Sequence, residues 1–164
     1  MDIKQTVLEI IKKNPGIRFN EIMRISNIRN GTLSHYVKKL EKEEHIDLER
    51  KPRVTRMYPK GMPKQDAKIC KCLTIETQRK LLLFLLQKGL ATSIQIREFL
   101  EKSPSVVSVN LNELFKEKII NKQYDIPSNK YSIRDSEQIK RILNKYYPEL
   151  IKEFEIKPVK IKVL

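Results

Sequence analysis

Residues 30–43 read NGTLSHYVKKLEKE, and this stretch decides the fold. Its apolar residues recur at i, i+3, i+4 and i+7, the spacing that places side chains on one face of an α-helix: Leu33, Tyr36, Val37 and Leu40. Asn30 has a short polar side chain of the kind that caps helix N-termini. The sequence therefore predicts an amphipathic helix with one face for a core and a polar face left for solvent or a ligand.

The segments on either side of this helix complete a small fold. An apolar stripe over 7–11 predicts a first helix, which ends at Asn14-Pro15-Gly16 because Gly and Pro stop helices. A short second helix is capped by Asn20, and a turn follows it. After the long helix, residues 46–50 and 54–58 alternate in polarity and predict a hairpin. Helix, short helix, turn, longer helix and hairpin is the order of a winged helix-turn-helix domain.

The same pattern recurs once more along the chain. When the sequence is shifted by 74 positions, apolar residues of one half meet apolar residues of the other without a gap: Leu8 and Leu82, Ile22 and Ile96, Val37 and Leu111, Leu40 and Leu114. Because nearly all of the matched positions are apolar, the two halves share a core. The sequence predicts a mainly α fold with small β wings (α+β), built from two tandem winged helix-turn-helix domains plus a C-terminal helix.

Composition between and beyond the two copies sets the expected domain bounds. We expect a first domain over 1–60, a linker over 61–73, a second domain over 74–134, and a C-terminal helix and tail over 135–164. An amphipathic pattern places that helix at 136–147. The end of the tail alternates apolar and basic residues, which leaves a strand and a loose arm open as alternatives.

The charge balance narrows the class of partner. The chain has 164 residues, with 34 Lys and Arg against 20 Asp and Glu, a net charge of +14 and a pI near 9.8. Such an excess favours nucleic acid, because neutralising phosphates releases condensed counterions. The longest apolar run, 81–86, is far shorter than the ~20 residues of a membrane span, and the first residues lack a signal peptide's apolar region. We expect a cytoplasmic protein without membrane contact.

Motifs that carry chemistry are few. Cys70 and Cys72 cannot make a disulfide framework, which is typical of a reducing compartment, and a single C-x-C pair is a weak metal signal. The sequence has no phosphate-cradling glycine loop, no H-E-x-x-H and no nucleophile elbow. We expect no metal, no cofactor and no enzymatic activity, and we interpret the two cysteines as ordinary residues of the segment between the domains.

Two stretches of the first copy resemble a known family. Residues 14–22 read NPGIRFNEI and residues 30–41 read NGTLSHYVKKLE, and they are similar to archaeal transcriptional regulators that carry tandem winged helix-turn-helix domains. The resemblance extends over about residues 4–60, and the junction Tyr58-Pro59-Lys60-Gly61-Met62 fits it. The second copy is similar only in pattern. The resemblance implies a cytoplasmic protein that binds double-stranded DNA with sequence selectivity.

The polar side of helix 30–43 and the hairpin tip supply the candidate DNA contacts. Short polar side chains near the start of such a helix approach base edges in the major groove, while lysines farther along neutralise phosphates. A basic wing over 50–56 suits the flanking backbone or the minor groove. The predicted DNA-binding residues are Arg29, Asn30, Thr32, Ser34, His35, Lys38, Lys39, Arg50, Lys51, Arg53 and Arg56.

Other interpretations of these residues stay open. In one of them the helix lysines are only a solvated face, with Glu41, Glu43 and Glu44 nearby as possible ion-pair partners. Arg18 and Arg24 are further candidates for phosphate contact, from the segments before the helix. Two other functions fit the fold: a protein–protein adaptor in a transcription-related assembly, and a non-specific architectural nucleic-acid binder, whose affinity falls with salt whatever the sequence.

The second copy differs at the positions that would contact DNA. Its third helix carries valines and a carboxylate where the first copy has polar and basic residues: Val106, Val109 and Glu113 against Thr32, His35 and Lys39. Exposed apolar residues mark partner surfaces, and phosphate repels a carboxylate. Besides DNA we therefore expect protein partners, as a homodimer through the second domain or helix 136–147 and in contact with the transcription machinery.

Overall fold

The computed structural model describes residues 2–154 and 156. It divides into two compact units, Met1–Thr74 and Ile75–Leu164, each of which combines helices with a small antiparallel sheet. Within the described residues, no helix has the length and apolar character that crossing a bilayer requires. The predicted fold class, mainly α with small β wings, is confirmed.

The first unit has four helices and a three-stranded sheet. Its elements are α1 (Ile3–Lys13), β1 (Ile17–Arg18), α2 (Phe19–Ser26), α3 (Asn30–Lys42), β2 (Ile46–Lys51), β3 (Val54–Pro59) and α4 (Lys64–Thr74). The strand order is β1-β3-β2, so β3 lies at the centre and pairs antiparallel with both neighbours. We call the hairpin of β2 and β3 the first wing; its tip is the two-residue turn Pro52–Arg53.

Helices α2 and α3 begin earlier than expected from Asn20 and Asn30, the asparagines predicted to cap them. The N-cap of α2 is Arg18 and that of α3 is Arg29, and neither side chain makes a cap hydrogen bond. Asn20 and Asn30 lie within the first turns instead, so the prediction that they cap these helices is wrong. For α2 the reason is that Arg18 is still paired in the sheet, opposite Arg56, and the chain passes from strand to helix without a loop.

The core of the first unit lies between α1, α2, α3 and the sheet. The apolar stripes predicted for the helices are buried in it together with residues of the strands: Val7, Leu8, Ile11, Ile17, Ile22, Leu33, Val37, Leu40, Ile46 and Met57. Full burial of one aliphatic side chain is worth about 1.5–3 kcal/mol, so these contacts supply most of the favourable free energy of the unit. Tyr36, expected on the same face, is only half-buried.

Helix α4 occupies most of the segment 61–73 that the sequence suggested as a linker. Its apolar residues are buried: Ile69, Cys70, Cys72 and Leu73. Gly16, at φ +88°, lies so close to this helix that a Cβ there would be 3.4 Å from the backbone N and Cα of Lys71. The boundary between the units therefore falls after Thr74. The segment is polar on average, which is why its composition resembles that of a linker.

The second unit repeats this order and adds one helix at its end. Its elements are α5 (Glu76–Lys88), β4 (Ala91–Thr92), α6 (Ser93–Leu100), α7 (Pro104–Lys116), β5 (Ile120–Gln123), β6 (Lys130–Ile133), α8 (Ser136–Tyr146) and α9 (Pro148–Glu153). The strand order β4-β6-β5 matches that of the first sheet. Thr92 caps α6 with a reciprocal capping box, and Ser103 caps α7, with Pro104 in its first turn.

The 74-residue repeat holds at the level of the backbone. The bounds of β4, α6 and α7 lie 74 positions after those of β1, α2 and α3. Left-handed residues keep the same spacing: Asn27 and Glu101 after the second helix of each unit, at φ 58° and 55°, and Glu44 and Lys118 before each hairpin, at φ 60° and 59°. The backbones of the two units therefore follow the same path as far as the ends of their third helices.

The predicted C-terminal helix is confirmed as α8, and its apolar face is buried within the chain. Ile139, Ile142 and Leu143 are at most 5% exposed. The stripe that suggested a homodimer contact through residues 136–147 is therefore covered by the chain itself. Most of the alternating tail, residues 157–164, lies outside the described residues, so the choice between strand and arm falls there as well.

Replacing Ile69 by Ala tests whether α4 is a structural helix. Ile69 is 1% exposed, and truncating a buried isoleucine leaves a cavity that costs about 2–4 kcal/mol. We expect urea unfolding followed by circular dichroism to show that loss for Ile69→Ala. The exposed Lys64→Ala, on the same helix, serves as the control and should leave the unfolding midpoint unchanged. Equal unfolding midpoints for the two variants would contradict a structural role for α4 and favour the linker.

Candidate nucleic-acid interface

The solvent face of α3 is polar along its whole length. Leu33, Val37 and Leu40 are buried on the other side, and α1 packs against the helix there, so its rotation about its own axis is set by the core. The face opposite consists of exposed residues: Gly31, Thr32, His35, Lys38, Lys39 and Lys42. Ser34 is half-buried at its border. The His35 ring meets Tyr36 edge-on, with centroids 5.0 Å apart.

The turn between α2 and α3 is held by its own hydrogen bonds. The Ser26 hydroxyl lies 2.5 Å from the Ile22 carbonyl, to which it donates, and it accepts from the Ile28 N–H at 3.2 Å. Asn27 ends α2 in the left-handed conformation, at φ 58°, which asparagine tolerates better than most residues. Arg29, the N-cap of α3, is exposed at the end of this turn. The turn thereby fixes the start of α3.

Two of the three acidic residues that follow the lysines, Glu41 and Glu43, bind elsewhere. The Glu43 carboxylate lies 2.6 Å from the Lys4 Nζ of α1, and that hydrogen bond lowers the pKa of its carboxyl group. The Glu41 carboxylate accepts two hydrogen bonds from the Arg50 guanidinium, at 2.8 and 3.1 Å, which lower its pKa in the same way. Among the residues that the structure describes, no ion pair involves Lys38, Lys39 or Lys42. The three lysines are therefore exposed to solvent, an arrangement that fits a DNA-binding face and a plain solvated face alike.

The tip of the first wing is basic and exposed. Lys51 and Arg53 flank Pro52, and Arg53 has φ +69°, a backbone conformation that favours glycine or asparagine. Arg50, at the end of β2, is bound to Glu41 and joins the wing to the C-terminal half of α3. Of the four predicted wing contacts, Lys51 and Arg53 are thus accessible to a ligand, and Arg50 is engaged within the unit.

Arg56 is not on this surface. It is 7% exposed, and its Nη1 donates to the Gly16 carbonyl at 2.9 Å and to the Thr74 hydroxyl at 2.8 Å. Burial lowers the pKa of its guanidinium. The expected role of Arg56 in binding DNA is corrected accordingly: because Arg56 lies on the central strand β3, its side chain ties the turn after α1 to the end of α4.

A small cleft lies between the first wing and the start of α2. Its volume is about 250 Å³, and it is lined by Arg18, Phe19, Asn20, Lys51, Arg53, Val54 and Thr55. The sequence indicates Arg18 only as a further candidate for phosphate contact, because the residues next to it in the chain give no sign that it lies near the wing. Arg24, the other secondary candidate, is bound to Glu21 on α2. Sheet pairing of β1 with β3 places Arg18 near the wing, a contact that only the fold provides.

In the second unit the corresponding surface is apolar. On α7, Val106 is 41% exposed and Val109 56%. Glu113 accepts a hydrogen bond at 2.7 Å from the buried Gln78 of α5. At the tip of the second hairpin, the second wing, Tyr124 is 76% exposed and Ile126 is 92% exposed. The side chains that replace the polar ones of α3 are therefore exposed, as the sequence predicts.

Metal-ligating residues do not gather in the part of the chain that the structure describes: it holds no cluster of three or more His, Cys, Asp or Glu residues suited to a metal ion. Cys70 and Cys72 are both buried and unpaired with each other as a disulfide. Both cysteines belong to α4, inside the first unit.

Comparison with known proteins matches this unit to a described family. Residues 2–46 match the family model of winged helix-turn-helix DNA-binding domains. The first helices have a winged helix-turn-helix sequence. The match spans α1, α2 and α3, including the whole polar face described above, and ends at the start of β2. No curated protein matches the chain.

Several solved structures are similar to part of the chain. The transcriptional repressor BigR from Xylella fastidiosa is 16% identical, over 54% of this chain and 84% of that one, at a TM-score of 0.45. HlyU from Vibrio cholerae is 23% identical, over 53% and 99%, with a TM-score of 0.45. PagR of Bacillus anthracis, also a transcriptional repressor, is 20% identical, over 48% and 90%, with a TM-score of 0.43. These likenesses are too distant to carry function or partners over to this chain.

Replacing Arg56 by Ala separates a structural arginine from one that contacts DNA. Hydrogen bonds from a charged group contribute about 1.5–3 kcal/mol, and Arg56→Ala removes two of them from a buried site. We expect urea unfolding to show a loss of that size. Binding to duplex DNA, measured by fluorescence anisotropy where the variant is folded, should be unchanged. A variant with wild-type stability and weakened DNA binding would place Arg56 back on the interface.

Proposed function

We propose that the protein is a sequence-selective, double-stranded-DNA-binding transcriptional regulator that acts in the cytoplasm. The observation that carries the proposal is the solvent face of α3, on which polar and basic side chains stand free while the neighbouring glutamates are bound by Lys4 and Arg50. The family match over residues 2–46 supports it, and so does the net charge of +14. No catalytic step is part of this proposal.

In the proposed complex α3 enters the major groove. Thr32, Ser34 and His35 lie in the first half of the helix, where short polar side chains reach base edges. Lys38 and Lys39 lie farther along and suit phosphates. The first turn of α3 contains no acidic residue, so nothing there opposes the approach of a polyanion. Residues near the start of α3 therefore provide specificity, and residues near its end provide affinity.

The first wing is proposed to hold the flanking backbone or the minor groove. Lys51 and Arg53 project from a short turn, and a compact basic tip suits the strong negative potential of a narrow groove. Arg50 contributes indirectly, because its bond to Glu41 keeps that carboxylate from opposing phosphate and holds the wing to α3. An archaeal source and a tandem pair of such domains belong to the same proposal, through the resemblance of residues 14–22 and 30–41.

A second candidate function for the second unit is protein contact. The exposed valines of α7 favour it, because a surface of this kind is costly in water and useless for reading base edges. A homodimer through this unit would place two copies of α3 on two half-sites, and contact with the transcription machinery is the alternative use of the same face. An adaptor without DNA binding would use this face alone.

Replacing Thr32 and His35 by Ala tests the reading role of α3. Each good base contact discriminates by about 1–3 kcal/mol, so the double variant should lose its preference for a duplex selected from a random library by at least about tenfold. Affinity for a scrambled duplex should change little, because the lysines remain. Anisotropy titrations at fixed salt measure both. His45→Ala is the matched control, since His45 is the chain's other histidine and lies beyond the end of α3.

Two results of that titration would contradict the proposal. A wild-type protein that binds no duplex at all favours the adaptor. A wild-type protein with equal affinity for selected and scrambled duplexes, falling together with salt, favours the architectural binder.

Replacing Val106 and Val109 by Ser tests the protein-contact role of α7. Both side chains are exposed, so we expect the free energy of unfolding to change by less than about 1 kcal/mol. If the face holds a homodimer, light scattering should show the wild type as a dimer and the variant as a monomer. Asn112→Ser, exposed on the same helix, should stay dimeric. A wild type that is monomeric at every concentration would remove the homodimer from the proposal.

A further inference from the structure

The cleft between the first wing and the start of α2 has an unusual lining. Three of its side chains are cationic, Arg18, Lys51 and Arg53, and none is acidic. Asn20 and Thr55 add neutral groups that donate hydrogen bonds. Three positive charges around one small space repel one another, so the arrangement is favourable only when an anion or solvent ions screen it.

The acidic residues nearest to this cleft have other partners. The Glu21 carboxylate is bound by Arg24, and this hydrogen bond is the main reason that the pKa of Glu21 is lowered. Glu49, on β2, has its carboxylate 3.8 Å from the Lys71 Nζ. Across residues 2–154 and 156, no ion pair involves Arg18, Lys51 or Arg53. The charge of the cleft is therefore available to a ligand.

In the second unit, the wing loop fills the position that corresponds to the cleft. Its longer wing loop turns back onto the start of α6, where the Ser93 N–H donates to the Asn129 carbonyl at 3.1 Å and the Ser93 and Ser128 hydroxyls lie 2.5 Å apart. The residues 74 positions after Arg18 and Asn20 are Thr92 and Ile94, so the arginine and the asparagine of the lining are absent there as well. The same backbone can thus seal this position, and the first unit leaves it open and positive.

We propose that this cleft of the first unit is a phosphate-binding site. A volume of about 250 Å³ is below the ~300–1,000 Å³ of typical small-molecule pockets, which suits one phosphate group better than a whole nucleotide. Guanidinium groups match the geometry of phosphate oxygens, and two of the three cations are arginines. The phosphate comes from the backbone of duplex DNA or from a free phosphate. The first of these sources rests on the proposed function.

Arg18→Ala is the decisive variant, since Arg18 is exposed and lies outside the recognition helix. Arg141→Ala is the matched control, because Arg141 is an exposed arginine on α8 of the second unit and lies outside the lining of the cleft. In the duplex arm, a set of duplexes each carries one neutral methylphosphonate linkage. For the wild type, one such linkage should weaken binding by about tenfold, the loss of one charge-assisted contact. In Arg18→Ala the same linkage should make no difference, whereas Arg141→Ala should behave as the wild type.

In the second arm no DNA is present. Inorganic phosphate and pyrophosphate are titrated at constant ionic strength, and the backbone amide signals of three lining residues, Phe19, Asn20 and Val54, are followed by NMR. Saturable shifts that disappear in Arg18→Ala and persist in Arg141→Ala would establish a site for free phosphate.

The arms separate this inference from the proposed function. Linkage-specific loss in the first arm, or a saturable site in the second, supports the phosphate site. A protein that binds DNA selectively, but has neither the linkage effect nor the saturable shifts, overturns the site and leaves the regulator. A protein that binds pyrophosphate through Arg18 but no duplex overturns the regulator and leaves the site.

Discussion

Burial of Leu33, Val37 and Leu40 is the constraint on which the rest of the first unit depends. An isolated helix of this length is marginal in water, so α3 persists because its apolar side packs against α1 and the other core elements. Once those three positions are inside, the positions on the opposite side of the helix face solvent. The same packing that stabilises the helix therefore decides which of its residues a ligand can reach.

The second requirement is that this exposed face keeps its positive charge. Acidic residues follow the lysines closely in the chain, and in an isolated helix they would compete with any anion. In the folded unit Glu43 is drawn to α1 by Lys4, and Glu41 to the wing by Arg50. Exposed ion pairs contribute little to stability, so the more important consequence here is where the charges lie. The lysines are left free because tertiary partners bind the acids.

The two units show how one backbone supports different surfaces. Their second and third helices, and the left-handed residues that end them, keep a spacing of 74 positions. The solvent positions have changed, from histidine and lysine on α3 to valine and glutamate on α7. Glu113 is also bound by the buried Gln78, which ties this carboxylate to the core of its unit. Core residues set the fold in both units, whereas the surface residues differ and give each unit its own binding chemistry.

The sequence by itself determined the repeat, the three helices and the hairpin of each copy, and helix α8, whereas α4 was expected to be a linker. Periodic apolar residues specify which segments are helical and which face is buried, and this information is local. The long helix, expected over 30–43, is observed over Asn30–Lys42, and the exposed valines of the second unit lie where the pattern puts them. The predicted cap of α2 at Asn20 was wrong because strand β1 runs directly into α2, a constraint that comes from sheet pairing.

Only the tertiary structure decided which charged residues are available. Arg53 and Arg56 are neighbours in a basic hairpin, yet one is exposed at the tip and the other is buried by the turn at Gly16 and the end of α4. Arg18 meets the wing only because β1 pairs with β3. Hydrogen bonds and ion pairs between residues distant in sequence depend on the three-dimensional arrangement of the elements, which local periodicity does not contain.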